Sequence, residues 1–72
     1  FDHLEFKAET KELVFLALEE LELEEKNIFL LHVLEDLTFK EIAYIVDKPQ
    51  GTVGWLYSKA VKKMKRRLEN EI

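Results

Sequence analysis

The residues from Leu37 to Leu68, LTFKEIAYIVDKPQGTVGWLYSKAVKKMKRRL, leave few ways to fold, because the start, stop and facing signals of two helices follow one another almost without spacing. Thr38 and Glu41 form the pattern of a capping box, in which the hydroxyl accepts from the amide three residues on and the carboxylate reaches back to the first amide. Ile42, Ala43, Ile45 and Val46 then give a short helix an apolar side. The break falls at Asp47-Lys48-Pro49. Asp tolerates the left-handed conformation of a tight turn, and Pro49 disfavours helix at the residue before it while suiting the first turn of the next. In the second helix each residue lies about 100° on from the last, which puts Val53, Leu56, Tyr57, Ala60, Val61, Met64 and Leu68 on the inner side. Trp55, Ser58, Lys59, Lys62 and Lys65 fall on the outer side.

That outer side is cationic. Lys48, Lys59, Lys62, Lys63, Lys65, Arg66 and Arg67 lie between Lys48 and Leu68 with no acid among them, although the whole chain carries a formal charge of −4. Residues 1–36 hold eleven acids against three lysines, a balance of −8, and residues 37–72 hold eight bases against four acids, a balance of +4. A molecule so divided orients in the field of a polyanion and presents its basic end. Bases near a helix C-terminus also complement the macrodipole, but two or three would serve that purpose. Two helices joined by a tight turn, the second with a basic outer side, form the layout of a helix-turn-helix whose second helix enters a DNA groove.

The acidic half reads as a platform of two more helices, one from residue 8 or 9 to 21 and one from 23 to 35, divided at Leu21-Glu22-Leu23 although no Pro or Gly marks the division. A single helix through both would have little to pack against in so small a domain. The expected fold is therefore all-α, a single four-helix domain over residues 1–72 with helices at about 9–21, 23–35, 38–46 and 50–69 and a C-terminal helix-turn-helix. Leu13, Val14, Phe15, Leu16, Ala17 and Leu18 surround the axis of the first helix, so more than one of its faces wants cover, either from the segment Phe1 to Phe6 or from a protein partner. A chain of 72 residues buries only about 60% of its unfolded surface, which makes stability modest and sensitive to a partner. The chain starts with Phe1 rather than Met, as expected of a domain excised from a longer protein.

Other classes find little support. Without Cys there is no disulfide framework or thiolate metal site, and a cytoplasmic location is the default. The apolar runs LVFLAL and IFLLHVL are too short to span a bilayer, so no membrane partner is expected. His3 and His32 are isolated, and His32 in its apolar helix reads as a structural residue rather than a base. Glu19, Glu20, Glu22, Glu24 and Glu25 lack the alternating spacing and turn Gly of a calcium loop and read as a solvated helix junction. Neither an enzyme nor a cofactor or metal is expected.

From about Leu18 to Leu68 the sequence resembles the region 4 domain of bacterial RNA polymerase sigma factors, in particular the extracytoplasmic-function group. The resemblance rests on Leu18, Leu21, Ile28, Phe29, Leu31, Thr38, Phe39, Glu41, Ile42, Ala43, Gly51, Thr52, Val53, Ala60 and Met64, which match that family's pattern without a gap. The resemblance implies recognition of the −35 element of double-stranded promoter DNA by the second helix, docking on the flap of the polymerase β subunit and, in some members, capture by an anti-sigma factor. It also implies that Lys26 and Thr38 approach the DNA backbone, that Gly51 and Thr52 meet a phosphate at the helix start, and that Lys59, Lys62 and Lys63 continue a basic track. Trp55 and Ser58 share the outer side with them.

The departures are as informative. Gly54, Trp55 and Leu56 stand where the family has Lys-Ser-Arg, which removes two cations and the bidentate guanine reader and leaves Gln50 as the side chain suited to an adenine edge. Val61 replaces a further Arg, Asp36 and Asp47 replace glycines, and Glu22 replaces the Pro between the first two helices. Trp55 has three uses open to it: contact with a thymine methyl or sugar, insertion into a partner protein, or a cation-π contact with a neighbouring lysine. A LuxR-type regulator domain shares part of the skeleton, but Ala60 and the basic tail to Arg67 fit the sigma pattern better. A sigma-like helix-turn-helix converted to protein binding is the other alternative.

Overall fold

A computed structural model of the chain describes residues 8–71. The helices are α1 (Ala8–Glu19), α2 (Leu23–Val33), α3 (Phe39–Val46) and α4 (Gln50–Glu71), and no strand occurs among the described residues. The architecture is all-α, with α3 and α4 forming the helix-turn-helix. The helix ends differ from the sequence reading for local reasons. α1 stops at Glu19 because Leu21 leaves the helix to enter the core, and the chain tightens there through i to i−3 bonds from the Glu20 amide to the Ala17 carbonyl (3.1 Å) and from Leu21 to Leu18 (3.0 Å). Glu22 then caps α2 in extended conformation, its amide donating to Glu25 Oε1 at 2.9 Å. Two members of an acidic run thus supply the start signal of α2, where no Pro or Gly marks the division.

α2 ends at Val33, and the chain turns at Asp36 with a left-handed φ of 56° before Thr38 caps α3. The capping box is present as read: Thr38 Oγ1 accepts from the Glu41 amide (3.1 Å) and Glu41 Oε1 accepts from the Thr38 amide (2.9 Å). Thr38 itself lies outside the helix.

α4 packs against each of the other three helices and carries two apolar clusters. Toward its C-terminal half, Ala60 and Met64 meet Ala17, Leu21 and Phe29. Toward its N-terminal half, Val53 and Leu56 meet Ile28 and Ile42. Tyr57 packs against both, stacked on Phe29 at 5.9 Å between ring centroids and also touching Phe39 and His32. His32 is a structural residue: its Nδ1–H donates to the Leu37 carbonyl at 2.8 Å and its ring lies between Phe39 and Tyr57. The donor assignment follows because a carbonyl can only accept.

Of the apolar side expected of α3, Ile45 is not buried. Ile45 is 56% exposed because the packed residues of so short a helix, Phe39, Ile42, Ala43 and Val46, share one side, and Ile45 lies about 60° beyond Ile42 on the other. Leu23 and Leu34 sit at the two ends of α2, beyond the reach of the core, and are exposed. On α1, Ala17 is buried and Leu13, Val14, Leu16 and Leu18 are half-buried, while Phe15 remains exposed. The cover expected from Phe1 to Phe6 falls outside the described residues.

Candidate nucleic-acid interface

The turn between α3 and α4 is built from Asp47, which takes φ 57° and ψ 51° and lets the amides of Asp47 and Lys48 both close onto the Ala43 carbonyl. Both acids that stand where the sequence pattern has glycine, Asp36 and Asp47, occupy the left-handed region that glycine enters without strain. Lys48 ties the turn to α2 through Glu24 Oε2 at 3.1 Å. Pro49 lies one residue outside α4 rather than in its first turn, and its carbonyl accepts from the Val53 amide at 3.1 Å. A proline cap offers no side-chain oxygen, and no side chain among the described residues accepts from the amides of Gln50, Gly51 and Thr52. Those donors point out of an exposed helix start, where partial positive charge gathers.

Beyond them, Gln50, Gly51, Trp55 and Ser58 are exposed and Thr52 is half-buried. Thr38 is exposed at the start of α3. Leu56, at the position of the missing arginine, is buried against Ile28 and Ile42, and Gly54 lies beside the Phe39 ring. Trp55 is 61% exposed and carries the Lys59 ammonium over its ring at 5.1 Å from the centroid, so the cation-π contact is made.

The predicted basic track divides. Lys62 projects into solvent and has no ion pair among the described residues, as do Lys65 and Arg66. Lys63 instead donates to Glu25 Oε1 at 2.7 Å, and Lys59 Nζ lies 3.8 Å from Glu25 Oε2. Arg67 binds Glu20 at 2.6 Å. Lys26, half-buried, follows Glu25 on α2 and has no ion pair among the described residues.

The reading of Glu19 to Glu25 as a solvated junction holds for Glu19, Glu20, Glu22 and Glu24, which are exposed, and is corrected at Glu25, which is buried; Glu20, Glu24 and Glu25 each take a cation from the helix-turn-helix segment. Glu25 is fully buried. Its Oε1 serves both Lys63 and the Glu22 amide, while Oε2 is buried with no hydrogen bond. Burial pushes this carboxyl up, but the Lys63 hydrogen bond, the Glu22 amide and the charges of Lys63 and Lys59 outweigh it and hold the group below its ordinary 4.5. The pairing spans α2 and α4, and only one signal for it lay in the sequence: Lys59 and Lys63 are four residues apart on the flank of α4 that also bears Leu56.

Among the described residues, no cluster of His, Asp or Glu has the arrangement of a metal site and no helix is long and apolar enough to cross a membrane. No curated protein and no solved structure gives a significant match. The family model described as sigma-70, region 4 matches residues 11–64, a span that runs from within α1 through the turn and the paired lysines of α4. That family consists of promoter DNA-binding domains that act with RNA polymerase in transcription initiation and is not a known enzyme family. With the capped α3, the left-handed turn and the exposed start of α4 in the places that the family's pattern requires, the chain belongs to the sigma-70 region 4 family.

Proposed function

We propose that this chain is the region 4 domain of an extracytoplasmic-function type sigma factor and that the start of α4 reads the −35 promoter element in the major groove. The observation that supports this most directly is the surface at the start of α4. Open amides, Gln50, Trp55 and Ser58 stand together there on a helix braced from behind by Val53 and Leu56. The amides of Gly51 and Thr52 and the hydroxyl of Thr38 meet phosphates and set the register. Gln50 faces an adenine edge and Trp55 a thymine methyl or sugar. Lys59 and Lys62 neutralise phosphates, with Lys63 on the flank of the track and Lys26 approaching the backbone from α2.

With Leu56 in the core and no side chain on Gly54, base reading is confined to few positions, so discrimination between promoters is modest. The test is anisotropy of labelled duplexes, a promoter pool against scrambled DNA, over a range of salt. For three to five engaged phosphates, log affinity falls with log salt at a slope of about −3 to −4. The double substitution Lys59→Glu with Lys62→Glu abolishes binding, and wild-type affinity in that variant would rule out this face.

A second reading has its own observation. Leu30, Leu31, Leu34, Ile45 and Val46 line an open apolar groove between α2 and α3, away from the start of α4. This groove suits an apolar segment of the polymerase β flap, and a domain converted to protein binding, or held by an anti-sigma factor, would use it as well. Absence of duplex binding at low salt would favour that conversion.

A further inference from the structure

We infer that Glu25 is a positioning residue that divides the basic track of α4, locking Lys63 into the fold and holding Lys59 over Trp55 as an exchangeable phosphate ligand. The inference rests on the DNA-binding reading above and concerns the same face. The two lysines meet the two oxygens of one buried carboxylate on unequal terms. Lys63 donates to Oε1 at 2.7 Å, and that oxygen also takes the Glu22 amide at 2.9 Å. Removing Lys63 would leave a buried carboxylate short of its hydrogen-bonded counter-charge, which is costly. Lys59 stands 3.8 Å from Oε2, too far for a hydrogen bond, and that oxygen has none. Its second contact is the indole of Trp55 at 5.1 Å, and its side chain is 41% exposed. A phosphate oxygen can therefore take Lys59 without breaking a hydrogen bond, whereas taking Lys63 breaks one. Glu25 thus fixes where Lys59 waits, and through Lys59 it fixes how the Trp55 ring is covered, so a residue on α2 sets the shape and charge of the surface that meets the groove.

Glu25→Gln keeps an oxygen for the Glu22 amide and removes the charge. Two readouts follow. Trp55 is the only tryptophan, so acrylamide quenching reports its cover without DNA, and it rises in the variant as Lys59 leaves the ring. Duplex binding at low salt tightens by about threefold to tenfold, and the salt slope steepens by about one as Lys63 joins the phosphates. Unchanged quenching together with an unchanged or shallower slope overturns the inference. Changed quenching with no DNA binding by either protein supports the hold on Lys59 and overturns the DNA-binding reading.

Should Glu25→Gln not fold, methionine substitutions in the otherwise unaltered chain decide. Lys62→Met lowers the slope by about one, and Lys63→Met lowers it by clearly less. Equal losses overturn the inference.

Discussion

The first nine residues of α4, Gln50 to Ser58, contain no charged side chain, whereas the next nine, Lys59 to Arg67, contain six cations and no acid. The uncharged end displays backbone donors and a tryptophan. The charged end is already half occupied, with Lys59, Lys63 and Arg67 turned toward carboxylates of α2 and the turn before it, and Lys62, Lys65 and Arg66 left facing solvent. The difference teaches that a count of bases overstates the field a helix projects. A cation that holds a buried acid in place is part of the fold first, and only the remainder is available to a polyanion.

The largest break in this comparison comes from restoring the arginine that the family pattern carries at position 56. Leu56→Arg gains no guanine contact, because the side chain starts from the core beside Ile28 and Ile42. Chemical denaturation should show a loss of about 3 to 5 kcal/mol. The second test is acid. Glu25 is held below 4.5, and Glu41 likewise, by its bonds with the amide and side chain of Thr38. A depressed folded-state value means that both groups stabilise the fold above 4.5 and lose that contribution as the pH falls below it toward their folded values. Denaturation at descending pH should show stability declining in that window, with a smaller decline in Glu25→Gln. Smaller again, Asp47→Gly relieves a left-handed residue and raises stability by up to about 1 kcal/mol, whereas Asp47→Val lowers it. The smallest effect belongs to the uncharged end of α4. Gly54→Ala meets only ordinary contact with Phe39, at 3.7 Å, and adds about 0.5 to 1 kcal/mol of helix propensity, measurable as a rise in Tm.

The helix-turn-helix was legible because its signals are local. The capping box of Thr38 and Glu41, the turn at Asp47 and the inward face from Val53 to Leu68 each depend on residues within one turn of one another. The division between α1 and α2 followed from the size of the domain, but α1 ends at Glu19, two residues before the expected Leu21, and the cap that starts α2, Glu25 bonding back to Glu22, was hidden in an acidic run that looked solvated. The division of the basic track was not legible at all. It depends on Glu25 meeting Lys63 across the interface of two helices, and a helical wheel gives the direction of a side chain but not what stands opposite. Ile45 was misjudged for the related reason that periodicity finds an apolar stripe without showing how far the partner helix extends along it.

Among the described residues, Tyr57 is the one side chain packed against both apolar clusters. The start of α4 and the α1 end of the domain are therefore coupled through a single aromatic ring wedged between Phe29, His32 and Phe39. A load applied where α4 meets a groove is carried to the opposite end along that helix and across that ring, in the manner of a beam with one strut. Trimming the strut would leave two halves able to loosen separately.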